Sequence, residues 1–169
     1  MSGSEVAYRY YASSVVSGRE AGYSLQLGTS GGVTEVGPAV HPYFYSGLLA
    51  EPGPAALGML ACSAVARARY HMPANVIAPI AADPVVTSNG DRLRFESFSG
   101  CCGVHARLDL LPDALGAAPA HSGCTNVDFN PAMRAVLGGA ALSGSMLLSV
   151  GSDEVAVSTP EASVTERKV

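Results

Sequence analysis

The side chains best suited to chemistry crowd between Arg92 and Asn130 of this 169-residue sequence. His105, Arg107 and Asp109 alternate with Val104, Ala106, Leu108 and Leu110, and a period of two puts the three polar residues on one face of a strand. Arg92, Arg94 and Glu96 alternate with Leu93 and Phe95 in the same way. Guanidinium groups on such a face suit an oxyanion, which they grip through paired N–H donors. The same charges would also serve as cross-strand ion pairs on a solvated sheet. Both readings stand at this point.

Between the two runs lies Gly100-Cys101-Cys102-Gly103, where backbone N–H groups can converge on an anion or simply close a bulged hairpin. The thiols raise the question of a metal. Adjacent strand residues face opposite ways, so Cys101 and Cys102 cannot easily share one ion, and zinc would need His105 or Cys124 beside one of them. Two structural thiols are the plainer expectation, and no metal is expected. Thr125, Asn126, Asp128 and Asn130 form the third group. Asn130 before Pro131 reads as a helix cap, and turn chemistry accounts for Asn126. Asp128 sits between apolar Val127 and Phe129, where capping does not explain it, and it is a candidate catalytic or substrate-binding carboxylate. Dinucleotide, P-loop, nucleophile-elbow and H-E-x-x-H motifs are absent from the sequence.

These groups need elements to hold them. Glu5 to Tyr11 and Gly22 to Leu27 read as strands, separated by the turn-rich SSVVSGRE, and His41 to Tyr45 reads as an aromatic, proline-marked loop. From Pro54, the residues Leu57, Leu60, Ala61, Ala64, Val65 and Ala68 recur at helical spacing to Tyr70, and Pro73 closes that helix. Asn89-Gly90 predicts a hairpin after Pro84 to Thr87. A short helix opens at Pro131 and runs through Leu137. Ser145 to Val150, Glu154 to Ser158 and Ser163 to Lys168 form a closing meander. No internal repeat or linker is visible, so residues 1–169 read as a single α+β domain with a mostly antiparallel sheet and two or three helices. Its last strand reaches Val169 with an edge to be covered, which predicts a fold incomplete without a partner chain.

Composition narrows the classes. Apolar residues make 48% of the chain and charged residues 14%, which excludes intrinsic disorder. Ten basic residues, only one of them lysine, leave a net charge of −4, which argues against nucleic acid. No apolar run is long enough to span a membrane, and the N-terminus lacks the pattern of a secretory signal. A cytoplasmic protein with reduced cysteines is expected.

Ser99 to Asp109 (SGCCGVHARLD) and Thr125 to Asn130 (TNVDFN) resemble an actinobacterial family commonly labelled SWIM zinc finger proteins. Thr29 to Gly32, His41 to Phe44, Ala68 to Tyr70 and Asp91 to Glu96 add to the resemblance, which runs over nearly the whole chain. The zinc finger pattern itself is missing, so the label implies no metal here. His105 and Cys124 depart from the residues the family pattern carries, Tyr and Thr. Long members continue past a segment like Glu166 to Val169, which implies a split protein whose second subunit supplies the missing half of the fold.

Within that family the resemblance points to a two-subunit, aziridine-forming activity of azinomycin-type biosynthesis. The substrate it implies is a sulfated amino alcohol on an amino-group carrier protein. The amine displaces the sulfate ester from the neighbouring carbon, a step that needs alignment, an anion-stabilising site and a base, but no cofactor. The base is the difficulty. An ordinary Asp near pKa 3.9 faces an ammonium near 10, a gap of about six units or about 8 kcal/mol. Burial narrows the gap from both sides. Asp128 is the expected base because it can also hold the ammonium, and His105 or His121 is the alternative or relay. Arg107, Arg94, Cys101, Cys102, Thr125 and Asn126 are the expected substrate contacts. A non-enzymatic half-domain that scaffolds a larger assembly is the competing class.

Overall fold

The computed structural model describes residues 15–19, 22–26, 32–34, 37–39, 43–68, 83–126 and 128–167. β1 (Val15–Arg19) pairs with β2 (Gly22–Gln26), and β3 (Gly32–Thr34) with β4 (Gly37–Ala39), as two small antiparallel ladders. From residue 43 the order is β5 (Tyr43–Leu48), α1 (Pro52–Arg67), β6 (Val85–Ser88), β7 (Leu93–Phe98), β8 (His105–Leu110) and α2 (Pro112–Leu115). Then come β9 (Gly123–Asn126), α3 (Pro131–Ser143), β10 (Leu147–Gly151), β11 (Glu154–Ser158) and β12 (Ser163–Arg167). Two four-stranded antiparallel sheets result, ordered β8-β7-β6-β9 and β12-β11-β10-β5. The arrangement is α+β, as the sequence predicts.

The topology repeats, although the sequence does not. A strand, a helix and three antiparallel strands occur first as β5-α1-β6-β7-β8 and again as β9-α3-β10-β11-β12. Each unit lends its first strand to the other unit's sheet, so β5 pairs with β10 and β9 with β6. α1 packs on β7 and β8, α3 on β11 and β12, and the helices pack on each other. The repeat is hidden because the two units share an order of elements and not a pattern of residues. Only the proline in the first turn of each helix survives as a common mark.

The helices bury narrow faces. α1 turns Pro52, Ala55, Ala56, Met59, Cys62, Ser63 and Ala66 inward, a regular three-and-four spacing. This corrects the face predicted from Leu57, Ala61 and Ala64, which is exposed. The helix is apolar nearly all round, so periodicity alone does not choose a side. Small residues win the inward side because they allow close approach; a Cβ at Gly58 would lie 2.8 Å from a Leu108 methyl. α3 is capped by Asn130, whose side chain accepts the Met133 N–H at 2.9 Å, and it buries Met133, Val136, Leu137 and Ala140. It runs past the predicted stop at Leu137 to Gly144, which ends it at φ 70°. Ala140 continues the buried stripe, and that packing outweighs the poor helix propensity of Gly138 and Gly139. A Cβ at either glycine meets nothing within 4 Å. Gly138→Ala and Gly139→Ala should therefore each raise stability by about 0.5–1 kcal/mol, read as a higher midpoint in urea with unchanged slope.

Three other expectations change. SSVVSGRE contains β1, because the β-branched pair Val15-Val16 outweighs its turn-forming neighbours. The aromatic stretch predicted as a loop enters β5, where Phe44 and Tyr45 are buried. Asn126, read as a turn residue, is the last residue of the strand β9. The expected strand at Glu5 to Tyr11, the helix stop at Pro73 and the final residues Lys168 and Val169 lie outside the described residues. Among the described residues, no helix is long and apolar enough to cross a membrane.

Candidate functional site

The outer face of the sheet β8-β7-β6-β9 gathers most of the predicted residues. Antiparallel register sets Arg94 opposite Asp109, Glu96 opposite Arg107 and Phe98 opposite His105. It sets Thr87 opposite Arg94 and Val85 opposite Glu96, then Cys124 opposite Thr87 and Asn126 opposite Val85. Side chains opposite each other share a face, so these ten residues form one surface. Leu93, Phe95, Val86 and Thr125 fill the other face and are buried in the core.

One end of the surface is cationic. Asp109 accepts hydrogen bonds from Arg107 Nε at 3.0 Å and from Arg94 Nε at 2.8 Å, and Arg92 approaches it at 3.8 Å. The Arg107 hydrogen bond, then that of Arg94, holds the Asp109 carboxyl down at about 2. The ion-pair reading of these strands is thus realised, and Arg107 leans along its own strand toward Asp109. Stability from this carboxylate is complete above its unfolded pKa near 3.9 and fades as pH falls toward about 2. Asp109→Asn should lose about 1 kcal/mol at neutral pH, a partly exposed pair being screened by water. Melting curves of the variant and wild type should converge as the pH is lowered through that window.

The other end is acidic and aromatic. Asp83 lies two residues before β6 and Asp128 two residues after β9, and the antiparallel pairing brings both to this end. Burial first, and then the Asp128 charge, raises the pKa of the Asp83 carboxyl. Asp128 is exposed but firmly anchored. Its neighbour Phe129 is 1% exposed and meets Phe95 edge to face at 6.3 Å, and Asn130 is fixed as the α3 cap. Across the same end, His105 stacks on Phe98 with ring centroids 4.6 Å apart and holds Glu96 at 3.3 Å. Asp83 was not singled out in the sequence. Its signal, a lone Asp before Pro84, is that of an ordinary turn, and only the pairing of β6 with β9 brings it to Asp128.

Several predicted contacts fall elsewhere. Thr125 faces inward at 1% exposure, with no partner for its hydroxyl among the described residues, because the strand period that turns Cys124 and Asn126 outward turns Thr125 in. His121 lies beyond the opposite end of β9 from Asp128, and its carbonyl accepts the Ser88 hydroxyl at 2.6 Å. The Gly100–Gly103 turn is not an open anion nest. Its Gly100 N–H donates to Ala68 O at 2.8 Å and its Cys102 N–H to Ser99 O at 2.7 Å, while Ser99 Oγ accepts the Val104 N–H at 3.0 Å. Those amides are engaged in docking the hairpin tip onto the end of α1 and in closing the turn. Cys101 is half-buried and Cys102 exposed, both at the acidic end of the surface.

Distance separates the two ends. β8 and β9 are opposite edges of the sheet, about 14 Å apart at ordinary strand spacing. The rows of Asp109 and His105 are about 13 Å apart along the strands. Arg107 and Asp128 therefore cannot both touch two adjacent substituents of one small molecule. Among the described residues, no three His, Cys, Asp or Glu side chains are grouped to hold a metal. Comparison of the chain with protein-family models, curated proteins and solved structures finds no match in any of the three.

Proposed function

We propose that this chain is one subunit of a heteromeric, cofactor-independent enzyme that closes an aziridine ring by intramolecular amine displacement of a sulfate ester. The reading rests on the resemblance of two sequence segments. The observation that carries it is that these segments, on opposite edge strands, share one exposed surface with a carboxylate pair at one end. Asp83 and Asp128 hold the substrate ammonium. Asp83, with its raised pKa, takes the proton, which narrows the mismatch that an ordinary Asp would face. Asn126, at the end of β9, is the donor nearest that pair and faces the departing sulfate, while His105 stands on the opposite edge strand, too far to reach it. The guanidinium groups of Arg94, Arg107 and Arg92, too distant for that role, meet carboxylates of the carrier protein.

A second subunit completes the site. Supporting this are β12, an edge strand among the described residues, and Leu142 on α3, which is 91% exposed. A groove of about 360 Å³ between α3 and the β11–β12 turn, lined by Val136, Gly139, Leu142 and Ala162, adjoins that edge. The site is built without metal or organic cofactor, in the cytoplasm. The test is co-expression with candidate partner chains, followed by assay of the purified complex on carrier-bound amino alcohol. Cyclised product should form from the sulfated substrate and not from its unsulfated form. A co-purifying complex that leaves the sulfated substrate unchanged would overturn the enzymatic reading and favour a scaffold.

A further inference from the structure

Cys101 and Cys102 sit at the tip of the β7–β8 hairpin, and the cyclisation described above uses neither thiol. In a regular strand, neighbouring side chains diverge to opposite faces. The turn removes that constraint. Cys102 has φ 56°, the one positive value among the described non-glycine residues. Such a conformation costs roughly 1 kcal/mol or more, and surrounding structure must impose it. Here the Cys102 N–H to Ser99 O bond at 2.7 Å and the Ser99 N–H to Val104 O bond at 2.9 Å hold the turn closed. The two thiols also differ in access. Cys102 is exposed, while Cys101 is half-buried with its Sγ 3.4 Å from Ser99 Oγ. A Cβ at Gly103 would stand 3.6 Å from the Cys101 Sγ, so the glycine leaves that sulfur uncrowded on one side.

We propose that Cys101 and Cys102 form a vicinal dithiol that reacts as a unit with low-molecular-weight disulfides, closing an eight-membered disulfide ring. The exposed Cys102 thiolate attacks one sulfur of the reagent, forming a mixed disulfide and expelling one thiolate. Cys101 then gives up its proton to water and attacks the Cys102 sulfur, expelling the second thiolate. In sum, the two protein thiols lose two electrons and two protons, and the reagent disulfide becomes two thiols. Neighbouring Cα atoms lie about 3.8 Å apart. Ordinary disulfides span about 4.4–6.8 Å, so this ring is strained and readily reduced. The site is therefore reversible rather than structural. It also borders the exposed Phe98–His105 pair, which closes the same hairpin.

The full chain, reduced and then exposed to oxidised glutathione, tests this. Trypsin releases Phe95 to Arg107, a peptide containing these two cysteines and no other. After alkylation of remaining thiols, the peptide should lack both alkyl groups and be about 2 Da lighter than its reduced form, the loss of two hydrogens. Dithiothreitol should restore both alkylation sites. Cys101→Ser should instead accumulate a stable glutathione adduct on Cys102. Cys102→Ser should form its adduct at least about ten-fold more slowly, since Cys101 is shielded. A wild-type peptide carrying two separate glutathione adducts, or two alkyl groups throughout, would overturn the proposal. This readout does not involve cyclisation, so its failure leaves the proposed function standing, and the reverse holds as well.

Discussion

Asp83→Asn should be slower and more stable at once. Loss of a general base lowers turnover by about 10²–10⁴-fold. The same change should raise the melting temperature at neutral pH. A carboxyl whose folded pKa is raised adds stability while protonated, below its unfolded pKa near 3.9, and that stability is lost as pH rises through the folded value. An amide removes the penalty on the charged form. A residue kept only for packing would not show opposite signs in the two measurements. Asp128→Asn gives a different signature. Burial still raises the pKa of Asp83, but the Asp128 contribution is gone. The acid limb of the rate profile should therefore move to lower pH, with turnover reduced because half of the ammonium anchor is lost. If Asp83→Asn turns over like wild type while Asp128→Asn is dead, the base is Asp128. If His105→Ala alone is dead, the base is that histidine.

The largest loss of stability is expected where β5 meets β9. A Cβ at Gly123 would lie 2.3 Å from two ring carbons of Phe44, and Phe44 is fully buried. No rotamer of a packed ring absorbs such an overlap, so Gly123→Ala should destabilise by about 3 kcal/mol, at the upper end of overpacking. Phe44→Ala should lose about 3–5 kcal/mol through the cavity it leaves. The two changes share one volume. The double variant should be more stable than the sum of the single losses by at least about 1 kcal/mol. Urea denaturation of the four proteins measures that coupling, and strict additivity would show that Phe44 and Gly123 do not touch.

What the sequence made legible follows from physics. β7, β8 and their hairpins were visible because Leu93, Phe95, Leu108 and Leu110 alternate strictly with charged residues, and one exposed face leaves that trace. β9 was hidden because its short run carries a glycine chosen for Phe44 and a threonine buried among apolar residues. α1 was visible as a helix but not in its orientation, since its contacts reward small side chains over large ones. The candidate site divides the same way. Asp128 stood out as a carboxylate without a local purpose, while Asp83 acquires its meaning from a strand pairing that spans about forty residues. Arg107 promised an anion site, and its neighbour Asp109, two residues on, already takes up one edge of its guanidinium.

The exchange of first strands sets a timetable for synthesis. β5 is complete when the chain reaches Leu48, yet the strand it pairs with begins at Leu147. At about 5–20 residues per second, a ribosome takes roughly 5–20 s to supply that partner. Through that interval the aromatic strand holding Phe44 and Tyr45 has no ladder to join, while β6, β7 and β8 close their own hairpins behind it. The second sheet assembles last, because α1, β6, β7, β8, α2, β9 and α3 all stand between the waiting strand and its mate. Slow translation of the final third of the message should therefore lengthen the life of an aggregation-prone nascent chain, and a chaperone or a co-translated partner would act in that window.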